Sequence, residues 1–245
     1  MKRRLVAVLP AAGSATRLGE LGGSKEALEL SPGSGPIIGH ALRGAAQAGA
    51  ERVCVVTRES KTDLIDVLGD GAAFGVPVEV HTTAPTPSAV HTLCVALRGL
   101  GDVDVMLAYP DLLVRPASAF LEVARRHGRS PADVTLAVLP SQRPDKADMV
   151  RLDADGRPIE LVIKDPSCAL RYTWGLAVWG PRFTELLVRR ADARSGGERE
   201  LYVGDVLRES IERGFTLDAV RFEDGVVVDV GTPGDLERAR TLHWD

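Results

Sequence analysis

The 245-residue chain is poor in cysteine, and Cys54, Cys94 and Cys168 show no paired metal-ligand spacing. This excludes a disulfide-framed small fold and favours a reducing compartment. No run approaches the roughly 18 consecutive apolar residues of a membrane span. The apolar stretch in "MKRRLVAVLP" is too short for a signal peptide. A cytoplasmic protein without a membrane partner is expected. Positive charge is not in excess: 30 Lys and Arg against 34 Asp and Glu leave a net charge of −4. That argues against nucleic-acid binding through a basic face, but not against a small anion in a locally basic cleft. Internal repeats, low-complexity tracts and a clear domain linker are also missing.

What is present is an alternation of short apolar runs and helical patterns. "RLVAVLP", "RVCVVT", "VPVEVHT", "DVDVMLAYPD" and "DVTLAVLP" predict five strands, and the stretches between them predict helices. Ser60 is the expected cap of the helix in "SKTDLIDVLGD". Continuous apolar strands separated by helices imply a parallel sheet covered on both faces. After residue 145 the rhythm changes. "MVRLDADGRPIELVI" predicts a hairpin about Asp155-Gly156, "YTWGLAVWG" a strand, and "TPGDLERARTLH" a closing helix with Thr232 as cap and Pro233 behind it. The expected fold class is α/β, a Rossmann-like three-layer sandwich with a mixed, mostly parallel central sheet and a β-rich second half. Residues 1–145 and 146–245 form the two halves of a single domain.

The loop "LPAAGSATRLGELGGSKEAL" leaves the end of the first strand, where open parallel sheets bind ligands. Ala11, Ala12, Gly13, Ser14 and Ala15 let backbone N–H groups approach a polyphosphate, while Arg17 and Lys25 supply charge. Neither a G-x-x-x-x-G-K-[ST] nor a G-x-G-x-x-G pattern occurs. On these residues alone a tight turn with two surface cations is as good a reading.

The loop resembles the signature of sugar-phosphate nucleotidyltransferases, L-x-A-A-G-x-G-T-R-L followed by P-K-x-L. Similar segments continue in order: "VMLAYPDLLV", "DADGRPIELVIKDP", "ERELYVGDVLRESIERG" and "VVVDVGTPGDLERA". The chain stops soon after this last segment, so the extra C-terminal domain of some members is not expected. The resemblance implies transfer of a nucleotidyl group from a nucleoside triphosphate to a phosphorylated acceptor, with release of pyrophosphate and with Mg²⁺ as cofactor. It implies that Ala11, Ala12, Gly13, Ser14, Ala15 and Thr16 line the nucleotide. Arg17 would grip the β- and γ-phosphates, Lys25 the α-phosphate and Lys164 the acceptor phosphate. Asp111 and Asp229 would hold the metal, and Trp174 and Gly175 would border the acceptor. Members are often oligomeric, so a homo-oligomer is compatible with it.

The departures fall where substrates are chosen. Thr83 and Ser88 stand where the family reads the base with Gln and Gly, which leaves the base open. Val162 and Ile163 replace carboxylates that bind sugar hydroxyls, which points to a modified or non-hexose acceptor. The Arg expected before E-L has no in-register match, Arg199 being one place away. Two other readings follow: cytidylyl transfer to a phosphorylated alcohol, choline or phosphonate, and a silent nucleotide-binding homologue. Asp205 could brace a helix, Trp179 belongs in the core, and His91 stands near the base end.

Overall fold

The computed structural model describes residues 3–13, 23–194 and 199–244. The first half runs β1 (Leu5–Pro10), α1 (Ile38–Gln47), β2 (Arg52–Thr57), α2 (Thr62–Leu68), β3 (Val78–Thr82), α3 (Ala89–Leu97), β4 (Asp104–Ala108), β5 (Leu112–Arg115), α4 (Ala119–His127) and β6 (Val134–Pro140). The second runs β7 (Asp148–Leu152), β8 (Pro158–Ile163), β9 (Tyr172–Trp179), α5 (Pro181–Asp192), α6 (Val203–Glu212), β10 (Leu217–Arg221), β11 (Val226–Asp229) and α7 (Pro233–Arg240).

The main sheet is ordered β10-β6-β9-β4-β1-β2-β3, with the β7–β8 hairpin attached to β9. Neighbours on this path are parallel except at β9, which runs antiparallel between β4 and β6. The sheet is therefore mixed and mostly parallel, as expected. Its central strands are apolar throughout because both faces are covered. Val6 and Val8 of β1 pack towards α3, α5 and α6, through residues such as Leu93, Phe183 and Val206. Ala7 and Leu9 face α1, α2 and α4, where Leu42, Leu64 and Phe120 lie. Helices α1 and α4 approach closely because position 44 is glycine: a Cβ there would stand 2.5 Å from the Phe120 ring.

The strand expected over 102–111 ends at Ala108, and a separate strand follows Asp111. Pro110 lacks the N–H that would continue the ladder. Leu112–Arg115 instead pairs antiparallel with β11 in a small second sheet. Leu113 and Val228 of this ribbon bury against Ile37 and against Leu236 of α7. Gly175 of β9 lies beneath it, where a Cβ would stand 3.0 Å from the Leu112 side chain. The ribbon thus lies on the sheet at the carboxyl ends of β1 and β4, beside the loop that follows β1.

Two expectations about helix caps divide. Thr232 Oγ1 accepts from Asp235 N at 3.3 Å and Pro233 takes the first helical position. Ser60 does not cap α2; Lys61 holds the cap position, and its side chain turns inward.

Candidate functional site

In the loop that follows β1, Ser24, Lys25 and Glu26 each find a charged partner. Ser24 donates to Asp63 twice, from its backbone N at 2.5 Å and from Oγ at 2.8 Å. Lys25 Nζ contacts Asp111 Oδ2. Glu26, only 1% exposed, accepts from Lys61 Nζ at 2.9 Å on both oxygens. The same ammonium donates to the Ala11 carbonyl at 2.8 Å. Two side chains of the α2 segment therefore fasten the loop at both ends. Ala11 and Ala12 are buried and Gly13 is exposed. Ser14, Ala15, Thr16 and Arg17 lie outside the described residues.

Asp111 follows β4, and Asp229 ends β11. Their backbones are adjacent: Val230 N donates to the Asp111 carbonyl at 2.9 Å. Both aspartates line a cleft of about 270 Å³ between the ribbon and the β7–β8 hairpin. Burial of Lys25 works against its charge, but attraction from Asp111, with Glu26 and Asp229 behind, outweighs it and the pKa is raised. Tyr109 is half-buried beside these groups, its side chain packed against the core. Desolvation, reinforced by Asp148, Asp111 and Asp229, raises its pKa well above the usual value, so it stays a neutral hydrogen-bonding group. Paired aspartate oxygens fit a hard divalent cation that keeps other positions for phosphate and water. The Lys25 ammonium already takes one of them as a cation partner. Cys54, Glu79 and His81 also bring donor atoms within 4.8 Å of one another, on β2 and β3. Burial and then Glu79 push the Cys54 thiol up to about 11, so it is protonated and a poor ligand.

The other end of the cleft is built on the hairpin. Lys164, just past β8, has φ +46°, a left-handed conformation unusual for a residue with a side chain. Its ammonium rests 3.5 Å from the centroid of the Tyr202 ring. Asp148 starts β7 directly across from Ile163. Burial pushes the Asp148 carboxyl up to about 6, opposed by Lys164 and reinforced by Asp205. Its Oδ1 and the buried Nε1 of Trp174 make no well-formed hydrogen bond among the described residues, although the Trp174 indole beside the carboxyl also favours its charged form. Trp174 borders the cleft at 7% exposure, its ring 6.0 Å from that of Tyr109.

The remaining expected residues are placed differently. Ser88 caps α3 and its Oγ pairs with His91 Nδ1 at 2.8 Å, so each satisfies the other. Thr83 follows β3, its backbone N–H donating to the Thr57 carbonyl at 2.9 Å. Asp205 belongs to a capping box with Tyr202 and is paired to Arg199 at 2.6 Å. Trp179 is fully buried and donates to Thr184 at 2.9 Å. The cleft therefore joins Lys25, through Asp111, to Asp229, Lys164 and Trp174. Sequence reasoning missed Lys61, Asp63, Asp148, Tyr109 and Tyr202. Only Asp148 had a partial signal, the Asp155-Gly156 hairpin itself; the pairing of 148 with 163 also depends on a register shift between Arg151 and Leu152.

Residues 6–243 match the family model described as nucleotidyl transferase. The chain belongs to that family. It is 26% identical over 242 residues to a glucose-1-phosphate thymidylyltransferase of Streptomyces antibioticus. It is 33% identical over 153 residues to a CMP-5'-(3-aminopropyl)phosphonate synthase of Streptomyces rubellomurinus. These alignments cover 98% and 61% of this chain, but 66% and 23% of the two relatives. A crystal structure assigned as a glucose-1-phosphate thymidylyltransferase of Bacillus anthracis, in complex with a sucrose, superposes with TM-score 0.86. An apo UDP-glucose pyrophosphorylase superposes with TM-score 0.80. Both are 18% identical to this chain; the overlaps cover 98% and 97% of it, and 96% and 97% of those chains. They agree with it in fold. No described helix is long and apolar enough to cross a membrane.

Proposed function

We propose that this chain transfers a nucleotidyl group from a nucleoside triphosphate to a sugar 1-phosphate or similar phosphorylated metabolite. The nucleotide is held by residues 1–145 and the acceptor by 146–245, within one domain. An acceptor phosphate oxygen attacks the α-phosphorus in line. One P–O bond forms there as the bond to the β-phosphate breaks, and pyrophosphate leaves with the electron pair. The attacking oxygen is already anionic, so no general base is required, and rate comes from positioning and charge neutralisation. Lys25 neutralises charge at the α-phosphate, Arg17 at the leaving pyrophosphate and Lys164 at the acceptor. Asp111 and Asp229 would hold Mg²⁺, which when bound supplies Lewis-acid charge neutralisation.

The observation that carries this reading is the meeting of Lys25, Asp111 and Asp229 at one end of a cleft that has Lys164 at the other. A silent homologue has no use for both carboxylates and both cations. Cytidylyl transfer to a phosphonate or phosphorylated alcohol is a second reading. It is favoured by the Streptomyces rubellomurinus relative and by the apolar Val162 and Ile163.

The test is pyrophosphate release across a panel of triphosphates and phosphorylated acceptors with Mg²⁺. Asp111→Asn and Asp229→Asn are expected to lower kcat at least a hundredfold, on the order of 3 kcal/mol of transition-state stabilisation, with thermal melts unchanged. Full activity in both variants contradicts the metal assignment.

A further inference from the structure

We propose that the acceptor carries a cationic amine away from its phosphorus group, and that the Asp148 carboxylate binds this amine. The inference rests on the nucleotidyl-transfer reading and narrows its acceptor to short phosphorylated or phosphonylated amines.

Asp148 lines the cleft, and its Oδ1 is buried with no well-formed hydrogen bond among the described residues. An orphaned buried carboxylate oxygen is costly unless a ligand supplies the missing donor. Among the described residues no cation is hydrogen-bonded to this oxygen. Lys164 is parked on the Tyr202 ring at 3.5 Å, and Arg199 and Arg208 both reach Asp205, at 2.6 and 3.4 Å. Across the hairpin the facing side chain is the aliphatic Ile163. The Asp148 carboxylate is also held against the first turn of α6. A Cβ on Gly204 would stand 2.2 Å from Asp148 Oδ2, so only glycine leaves room for the acid.

Trp174 stands beside this carboxyl, and its indole N–H favours the charged form of Asp148 against the effect of burial. Trp174 is 7% exposed and borders the cleft. The aromatic surfaces there favour a cation over a neutral hydroxyl. The Tyr202 face already holds one ammonium, that of Lys164, and the Tyr109 and Trp174 rings, tilted by 50° to each other, also line the cleft. A sugar hydroxyl both donates and accepts, whereas an alkylammonium only donates and brings the charge that this acid and these rings attract. Lys164 is then left for the phosphorus oxygens, so the cleft has one grip of each sign for a zwitterionic acceptor.

The experiment measures kcat/KM at saturating triphosphate and Mg²⁺ for matched acceptors. These are an aminoalkyl phosphonate, the aminoalkyl phosphate, the hydroxyalkyl and plain alkyl analogues, and glucose 1-phosphate. The phosphate and phosphonate arms distinguish the two sources of the anionic group. The native chain is expected to favour an amine over its hydroxyl analogue at least tenfold. In Asp148→Asn, which keeps shape and polarity, that preference should collapse through KM, while the thermal shift given by the triphosphate stays unchanged. Equal or better use of hydroxylated acceptors, or equal losses for all acceptors in Asp148→Asn, overturns the inference and leaves nucleotidyl transfer standing. Pyrophosphate release with none of the acceptors overturns the underlying reading and this one with it.

Discussion

Lys61 shows how one side chain can tie together the two described ends of the loop after β1. Its ammonium is buried and shared between Glu26 and the Ala11 carbonyl. Removing one partner of such a pair strands the other charge away from water, which costs about 3–5 kcal/mol. Lys61→Met is therefore expected to lower the unfolding free energy by about that much. A Lys61→Met, Glu26→Leu double variant should recover much of the loss. Urea unfolding of both variants checks this, and a Lys61→Met variant as stable as the native chain would refute the buried-pair account. At this scale the charged residues of the signature were legible because their types and order resemble a known motif. Lys61 was not, since nothing local marks a cap-position lysine as inward-facing. The identity of its partner depends on a contact across 35 residues.

Among the elements, the β5–β11 ribbon was the hardest to foresee and places both aspartates. A four-residue strand has too few positions to show a period, and its partner lies more than a hundred residues away. The long apolar strands were legible because burial on both faces leaves continuous runs. The Asp155-Gly156 hairpin was legible too, but not the register shift between Arg151 and Leu152 that brings 148 to 163. His40 of α1 ties that helix to the ribbon, its Nε2 accepting from Val114 N at 3.1 Å. Accepting requires the neutral ring, and burial, helped by Arg43, lowers the His40 pKa to about 4. The unfolded chain binds this proton near 6.5 and the native chain does not, so the contribution is present above about pH 6.5. It is lost as pH falls through 6.5 towards 4, a difference of about 3 kcal/mol. Asp148 has the opposite sign, because a raised carboxyl pKa costs stability as pH rises from its unfolded value to about 6. The comparison is therefore between the native chain and His40→Gln. Chemical denaturation at pH 7.5 and 4.5 should show a shallower loss in the variant, and identical slopes would contradict the assignment. Gly44→Ala should also destabilise, by roughly 1–3 kcal/mol, because its methyl meets the Phe120 ring.

For the whole molecule, a mixed sheet puts the loop after β1, the turn after β4 and the end of β11 on one edge. A hairpin closes the other side of the cleft. Fold class and family were legible from spaced motifs, whereas this wall of the cleft depends on which side chains the hairpin register opposes. A nucleoside triphosphate at a hundred times its Kd should raise apparent stability by about 2.7 kcal/mol, read as a thermal shift. No shift with any nucleotide at saturation would remove the basis for a nucleotide site. The most direct test of the central claim is ³¹P NMR of the reaction with triphosphate, Mg²⁺ and a phosphorylated amine. The account predicts that the α-phosphorus becomes bridged to the acceptor phosphorus, with one pyrophosphate formed per nucleotide consumed. Release of inorganic phosphate without that bridge, or phosphoryl transfer from the γ-position, would contradict it.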